Sequence, residues 1–255
     1  MIILFAILFG LIVGSFLNVA IYRMPDDESV VTPPSHCRRC KEPIAWYDNV
    51  PVLSYFLLRG RCRSCGDRFS ARYPLVEALT GLLFGVIVAC GLPPRETALY
   101  LALTSALIVI TFIDIDYFII PDRITLPSLL VAPAAAFFVG HVPLSSSLAG
   151  IVIGGGLLWA FGWAYERMRG QEGMGFGDVK LLAMIGGFLG WQAPLFSLMV
   201  GAITGSIIGL FLMLARKGKL DMAIPFGPFL AFGAFLYMIA GPQVVELYLE
   251  HVSLF

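Results

Sequence analysis

The sequence predicts an all-α protein that crosses a membrane with about eight helices. Its mean hydropathy is +0.86 and only 13% of its residues are charged, whereas about a quarter are charged in soluble domains. Apolar runs of about 18 or more residues, the length that a spanning helix needs, recur along most of the 255-residue chain. The net charge of zero gives no indication of a nucleic-acid partner, and none is expected. Because of the apolar runs, the expected partner is the lipid bilayer.

The predicted helices follow one another with short connections, except after the first. They cover residues 2–22, 74–91, 97–118, 123–140, 146–167, 180–190, 193–215 and 226–244. The first run has neither a basic stretch before its apolar part nor a small-x-small cleavage site, so we interpret it as a retained helix and not as a signal peptide. Residues 180–215 fit either one bent segment or two, which leaves the count at about eight.

One long polar segment interrupts this pattern and defines the predicted domains. Residues 1–22 form the first transmembrane helix, 23–73 a polar loop with four cysteines, and 74–255 the remaining transmembrane core. If eight spans alternate, sixteen of the seventeen Lys and Arg residues lie on the side of the polar loop, and only Arg95 lies opposite. Because basic loops stay in the cytoplasm, the sequence predicts a cytoplasmic polar loop and termini that face outward.

The four cysteines of the polar loop are predicted to bind one zinc ion. They form two Cys-x-x-Cys pairs, CRRC at 37–40 and CRSC at 62–65, with 21 residues between them. Two such pairs offer four thiolates to a tetrahedral Zn²⁺, and basic neighbours favour the thiolate form. Disulfides are the alternative, which a reducing cytoplasm disfavours, and His36 could replace a ligand but fits an exposed loop histidine better. The predicted ligands of this closed, structural site are Cys37, Cys40, Cys62 and Cys65.

Acidic residues inside apolar segments are costly and by default mark a functional site. The candidates are Glu77, Asp114, Asp116 and Asp178. Asp114 ends a long apolar stretch and lies roughly 10 Å before the helix break at Pro121, at about 1.5 Å per residue. Asp116 lies roughly 200° around the helix from Asp114, so the two cannot face the same partner. We therefore favour Asp114 for chemistry and interpret Asp116 as an interfacial or supporting charge.

Asp178 follows a glycine-rich stretch and is expected to approach Asp114. It comes from the next cytoplasmic loop, just before the helix at 180–190, so both acids reach the membrane from the same side. Two carboxylates close together in a poorly hydrated site share a proton, as in the aspartic proteases. One of them can then take a proton from water while the other donates to a carbonyl oxygen. The three histidines lie in loops or at the chain end, so no Ser–His or Cys–His set competes.

Gly175 and Gly177 are predicted to support this pair. Glycine accepts a positive φ and close backbone approach, so a non-helical loop could carry Asp178 toward the third helix; a plain flexible turn is the alternative. Lys180 is predicted either to offset part of the local negative charge or to bind a lipid phosphate.

Together these motifs resemble the type IV prepilin peptidases, also called leader peptidase/N-methyltransferases, over most of the chain and in the same order. GSFLNVAIYRMP at 14–25 resembles the opening motif of that family, and the four-cysteine loop resembles its zinc-binding loop. IDIDYFIIPD at 113–122 and GFGDVK at 175–180 resemble its two catalytic-aspartate motifs. The resemblance selects Asp114 over Asp116 as the catalytic partner of Asp178.

The resemblance implies a bifunctional enzyme of the bacterial inner membrane. Such an enzyme cleaves the basic leader of prepilins or pilin-like proteins on the cytoplasmic side, after a glycine and before an apolar N-terminal helix. It then methylates the new N-terminal amine from S-adenosylmethionine. The residues alone indicate only the peptidase, because no glycine-rich loop of the dinucleotide-binding type marks a methyl-donor site. Glu77, in the matching motif RYPLVEALTG at 72–81, is a candidate for that site, with a snorkelling interfacial glutamate as the alternative.

Two other classes of function compete with the peptidase. Buried acids on several helices also suit a proton-coupled transporter, although both acids lie at one face and no internal repeat of the transporter kind is visible. A zinc-stabilised membrane scaffold without chemistry would leave the two carboxylates unexplained. The oligomeric state and the prepilin system served are not readable from the sequence.

Overall fold

A computed structural model of the chain describes residues 1–170, 175–215 and 224–252. Over these residues the regular secondary structure is helical, and the only β-type pairings are two isolated bridges, His36 with Pro43 and Arg61 with Arg68. Parts of two predicted basic loops, 171–174 and 216–223, lie outside the described residues. The helices are α1 (Ile2–Arg23), α2 (Leu53–Leu57), α3 (Arg72–Ala89), α4 (Pro94–Tyr117), α5 (Asp122–Val139), α6 (Leu144–Arg169), α7 (Phe176–Leu189), α8 (Gln192–Ala215) and α9 (Gly227–Val252).

The predicted all-α membrane architecture is confirmed. Each of the eight predicted helices has a counterpart in the structure, and α2 is an additional short helix within the polar loop. Among the described residues, seven helices are long and apolar enough to cross a membrane. The exception among the eight is α7, whose 14 residues span about 21 Å, less than the roughly 30 Å of a bilayer core. Its residues from Leu181 to Leu189 are all buried, which explains why this part of so short a helix is uniformly apolar.

The chain forms two compact units, Met1–Val109 and Ile110–Phe255, with the boundary inside α4. We call them the N-terminal unit and the C-terminal unit. The division into residues 1–22, 23–73 and 74–255 follows the polarity of the sequence and stays a prediction.

Glycines allow α1 and α3 to pack closely in the N-terminal unit. A Cβ on Gly10 would lie 2.8 Å from the Cα of Gly81, and a Cβ on Gly14 would lie 2.7 Å from the Cα of Glu77. Small residues four apart let two spanning helices approach to backbone contact. This contact sets the position of Glu77 against the C-terminal half of α1.

The C-terminal unit is built around α7, which packs against α5, α6, α8 and α9. The closest approach is to α6, where a Cβ on Gly150 would lie 2.1 Å from the carbonyl oxygen of Gly186 and one on Gly154 would lie 2.4 Å from that of Leu182. The Ser147 hydroxyl also donates a hydrogen bond of 2.6 Å to the Gly187 carbonyl. These contacts fix the helix that carries Asp178.

Candidate active site and metal centre

Asp114 lies in the last turn of α4 and is buried, with 5% of its surface exposed. The helix ends at Tyr117 because Phe118 adopts a left-handed conformation, with φ of 57°, and its N–H donates to the carbonyl of Asp114 at 2.9 Å. The backbone N–H of Gly227, at the start of α9, donates a hydrogen bond of 3.0 Å to Oδ2 of Asp114. The Asp114 carboxylate is therefore held from two elements of the C-terminal unit.

Asp178 lies in the first turn of α7. Its N–H donates to the carbonyl of Gly175 at 3.1 Å, and α7 begins at Phe176. The prediction that Asp178 belongs to a loop before its helix is therefore wrong. The sequence places the helix start at Lys180 because the apolar pattern begins after that residue. In the structure the helix begins four residues earlier, at Phe176, and the nine residues after Lys180 are all buried. The N-terminal turn of a helix favours a carboxylate through the helix dipole.

Of the two predicted reasons for the glycines, the positive φ in a non-helical loop is wrong, whereas a close approach to a neighbour is found at Gly177. Gly175 has a φ of −66°, which other residues adopt readily, and Gly177 is helical. The role of Gly177 is steric, because a Cβ there would lie 3.0 Å from the Cβ of Ile120. At Gly175 a Cβ would meet only Oδ2 of Asp178, at 3.6 Å.

Ile120 connects the surroundings of the two acids. It contacts Gly177 on α7, and it also lies beside Gly227, where a Cβ would be 3.3 Å from Cδ1 of Ile120 and 2.7 Å from Oδ2 of Asp114. The carboxylates are close enough for the charge of Asp114 to act on Asp178. The structure thus brings Asp114 and Asp178 to the same region of the C-terminal unit.

The two other predicted supporting residues lie differently. Asp116 is exposed, on the other side of α4 from the buried Asp114. The Lys180 ammonium group forms an ion pair with Asp122 at the start of α5. The partner of its charge is therefore Asp122, and the ion pair links α7 to α5.

The four cysteines form one cluster in which all sulfur atoms lie within 4.8 Å of one another. Each Cys-x-x-Cys pair sits in the same kind of turn. The first cysteine of each pair, Cys37 or Cys62, donates its N–H to the carbonyl oxygen five residues later, at 2.9 and 2.8 Å. The residue after each pair, Lys41 or Gly66, has a positive φ of 59° or 71°. The two turns are thus equivalent halves of one site.

The cysteine cluster fits a tetrahedral zinc ion. The Sγ atoms of Cys37 and Cys65 are 3.7 Å apart, and those of Cys40 and Cys62 are 4.0 Å apart. Four thiolates at about 2.3 Å from Zn²⁺ require sulfur–sulfur distances of about 3.8 Å. Hydrogen bonding from the Cys40 backbone lowers the pKa of the Cys37 thiol to about 7, which favours its thiolate. Against a hydrogen bond from the Glu42 backbone, burial and the neighbouring thiols raise the pKa of Cys40 to about 12, so zinc binding there requires the loss of a proton. All four cysteines have free thiols, so the disulfide alternative is not realised.

Glu77 is buried in α3, with 8% of its surface exposed, so the snorkelling alternative is wrong. Its Oε2 accepts a hydrogen bond of 2.7 Å from the N–H of Val52, and the Ser15 side chain also bonds to the carboxylate. Val52 has a φ of 61°, a rare and strained conformation for a β-branched residue. The backbone of Val52, a residue of the polar loop, is therefore hydrogen-bonded to a buried acid of a spanning helix.

Sequence reasoning missed Gly227, Ile120 and Val52. None of them carries a charge or a metal ligand, and each acts through backbone or van der Waals contact with a residue far along the chain. The one available signal was the Gly-Pro pair at 227–228, which is typical of a helix start.

Comparison with known proteins agrees with this geometry. Residues 8–90 match the Bacterial Peptidase A24 N-terminal domain, and residues 101–210 match the Type IV leader peptidase family. Similar proteins are named prepilin leader peptidase/N-methyltransferase. The one from Aeromonas salmonicida is 39% identical, over 96% of this chain and 93% of its own length. The one from Pseudomonas aeruginosa is 34% identical, over 97% and 93%.

A third relative of the same name, from Myxococcus xanthus, is 42% identical over 83% of this chain and 63% of its own length. No solved structure matches the chain. With two family models in sequence order and relatives aligned along nearly its whole length, the chain belongs to the type IV leader peptidase family of membrane-bound prepilin peptidases with N-methyltransferase activity.

Proposed function

We propose that this prepilin peptidase hydrolyses the leader peptide of prepilins or pilin-like proteins with Asp114 and Asp178 as its catalytic pair. The observation that carries the proposal is the buried Asp114 carboxylate, anchored by Gly227 and within electrostatic reach of Asp178. In the part of the C-terminal unit that the structure describes, Asp114 is the one buried acid, and Asp178 is half-buried. The comparisons give a proton-coupled transporter no support.

The pair can hydrolyse a peptide bond without a covalent intermediate. The ionised carboxylate takes a proton from a water molecule as the water oxygen bonds to the scissile carbonyl carbon. The protonated carboxyl group donates its proton to the carbonyl oxygen, giving a neutral tetrahedral species. When the carbon–nitrogen bond breaks, the nitrogen takes a proton and leaves as the new amine, and the pair again shares one proton. The acid and base roles belong to the pair and not to either residue.

Zinc is proposed to have a structural role. Cys37, Cys40, Cys62 and Cys65 would supply all four ligands of a tetrahedral ion, which leaves no open position for a reacting group. The loop that they close has little apolar core of its own, since Cys37, Ser54, Gly60 and Cys62 are its only buried residues between 24 and 71. Metal binding would therefore contribute to folding this loop.

The methyl donor for N-methylation is proposed to be S-adenosylmethionine, and the acceptor is the amine that cleavage exposes. The polar loop and the catalytic pair are proposed to lie on the cytoplasmic side of the inner membrane. This orientation is supported by the basic character of the polar loop, since nine of the seventeen Lys and Arg residues of the chain lie in residues 23–73.

Mass spectrometry of a model prepilin, incubated with the purified enzyme with and without S-adenosylmethionine, tests the proposal. We expect Asp114→Asn and Asp178→Asn each to abolish leader release, because asparagine keeps the shape and cannot share the proton. Asp116→Asn is the matched control and should cleave like the wild type, since Asp116 is exposed on the same helix. Cleavage at the normal rate by either of the first two variants would contradict the mechanism.

A further inference from the structure

The N-terminal unit contains a cavity with many polar side chains in its walls and with neither member of the proposed catalytic pair among them. Its volume is about 190 Å³, and its walls come from the cytoplasmic half of α1, the first turns of α3 and the polar loop. Glu77 lines this cavity, together with Asn18 and Tyr73, whose side chain and carbonyl are joined by a hydrogen bond of 3.0 Å. Asp114 and Asp178 belong to the C-terminal unit, so the cavity and the catalytic pair use different side chains.

Glu77 is held in a way that leaves part of its carboxylate available. Its partners are the Val52 N–H and the Ser15 side chain, whereas a carboxylate has about four acceptor positions. The strained backbone of Val52 persists only because its surroundings hold it, and such strain is concentrated at functional sites. Glu77, which is itself buried, therefore presents a fixed negative charge to the cavity.

The other cavity walls suit a ligand that is part aromatic and part anionic. The guanidinium of Arg38 lies 3.5 Å from the centre of the Tyr22 ring and donates a hydrogen bond of 2.8 Å to the Tyr73 hydroxyl. Arg38, Tyr22 and Tyr73 all line the cavity. Two tyrosine rings and a cation thus face the same space as the Glu77 carboxylate, with the Arg38 guanidinium stacked on one face of Tyr22.

An apolar groove adjoins the cavity. It has a volume of about 860 Å³ and is lined on the α1 side by residues that include Leu8, Ile12 and Phe16. The groove and the cavity share wall residues, among them Ser15 and Val50. An apolar segment lying along α1 could therefore place its polar end beside Glu77.

We propose that this cavity is the methyl-transfer site, where Glu77 receives the N-terminal amine of the cleaved product beside the sulfonium of the methyl donor. The apolar segment of the product lies in the adjoining groove. A positively charged amine at the end of an apolar segment matches a buried carboxylate at the end of an apolar groove. The donor's adenine ring and carboxylate match the aromatic surface and Arg38. This inference rests on the proposed methyl donor and acceptor.

The proton balance assigns Glu77 a chemical task. An alkylammonium ion has no lone pair, so it must lose a proton before it can react. Glu77 takes that proton, the amine nitrogen bonds to the methyl carbon, and the carbon–sulfur bond breaks to leave a neutral thioether. The proton then passes from Glu77 to water. The methylated product keeps the positive charge that the sulfonium gave up.

Glu77→Gln separates the two reactions of the enzyme. Glutamine can still accept the Val52 hydrogen bond, but it cannot take a proton. We expect methylation of a synthetic, already cleaved pilin segment to fall at least about 100-fold, the usual contribution of a general base, while prepilin cleavage stays at the wild-type rate. Glu42→Gln, at an exposed acid of the same loop, should leave both reactions unchanged. Wild-type methylation by the Glu77 variant would overturn the proposal.

A binding measurement tests the cavity independently of turnover. Sinefungin carries an amine where the donor carries its methylsulfonium, whereas S-adenosylhomocysteine is neutral there. By calorimetry, Glu77→Gln should weaken sinefungin roughly tenfold or more through the lost charge-assisted hydrogen bond, and should leave S-adenosylhomocysteine unchanged. Equal affinities for sinefungin in both proteins, or a lower melting temperature with loss of both reactions, would assign Glu77 a purely structural role and overturn the proposal. If the wild type cleaves and binds sinefungin but does not methylate, the proposed donor and acceptor fail instead.

The groove is tested with a substitution that fills it. Ile12 is largely exposed and lines the groove, so Ile12→Trp should raise the KM of an acceptor that carries the apolar segment. A short, water-soluble acceptor should keep its KM. An unchanged KM for both acceptors would show that the groove holds only lipid and would overturn this part of the proposal.

Discussion

Replacement of Gly227 by alanine is expected to impair peptide cleavage without unfolding the protein. Gly227 donates its backbone N–H to Oδ2 of Asp114 at 3.0 Å. A Cβ added at Gly227 would lie 2.7 Å from that same oxygen. The methyl group would therefore push away the carboxylate that the backbone of the same residue holds.

The size of the effect follows from these distances. Ordinary van der Waals contact begins at 3.4 Å, so the Asp114 oxygen has to move by about 0.7 Å (3.4 − 2.7). A shift of this size takes the hydrogen bond beyond its usual limit of about 3.2 Å. Loss of a hydrogen bond to a charged group costs about 1.5–3 kcal/mol. If that cost falls on the transition state, kcat drops by roughly 10- to 150-fold.

The assay is single-turnover cleavage of a model prepilin in detergent micelles, together with thermal unfolding. Gly209→Ala is the matched control, because a Cβ there would meet only Cδ1 of Ile224, at 3.5 Å. We expect the control to cleave at the wild-type rate and both variants to unfold near the wild-type temperature. If Gly227→Ala cleaved as fast as the control, Gly227 would not hold Asp114 in its reactive position.

Three further predictions concern the helix contacts and the metal. Gly177→Ala should slow cleavage roughly tenfold by displacing α7 from Ile120, whereas Gly175→Ala should cleave nearly normally; equal rates would contradict the steric role of Gly177. Gly150→Ala should lower the melting temperature measured by calorimetry, since overpacking costs about 1–3 kcal/mol or more. Gly156→Ala should leave the melting temperature unchanged, because a Cβ there would meet no atom within 4 Å. Chelation should release zinc in stoichiometric amount, by atomic absorption, and expose the polar loop to trypsin; a trypsin-resistant apo protein would exclude a folding role for zinc.

The positions of the helices were predictable because they depend on local apolar length. The predicted starts and ends of α1 and α8 agree with the structure within one residue, since charged or loop-forming residues bound both runs. The predicted start of α7 is four residues too late. Glycine has low helix propensity, so Gly177 concealed a helical turn that packing against Ile120 stabilises.

The site was predictable only in part, because its charged residues are visible in a sequence and their supports are not. The acids stand out against apolar surroundings, and the cysteine pairs have a recognisable spacing. The contact of Gly227 with Asp114 joins residues 113 positions apart, and it depends on the absence of a side chain. Val52 likewise shows no sign in the sequence that its backbone is strained. Such contacts depend on the tertiary fold and not on any local pattern.

The most direct test of the catalytic pair is the single-turnover cleavage rate of the double variant Asp114→Asn/Asp178→Asn, compared with the two single variants. Residues that act as one unit have non-additive effects. The account predicts that each single variant loses nearly all activity and that the double variant is no slower than the slower single variant. Losses that multiply, or a single variant that cleaves at the wild-type rate, would contradict the claim that Asp114 and Asp178 share one reaction.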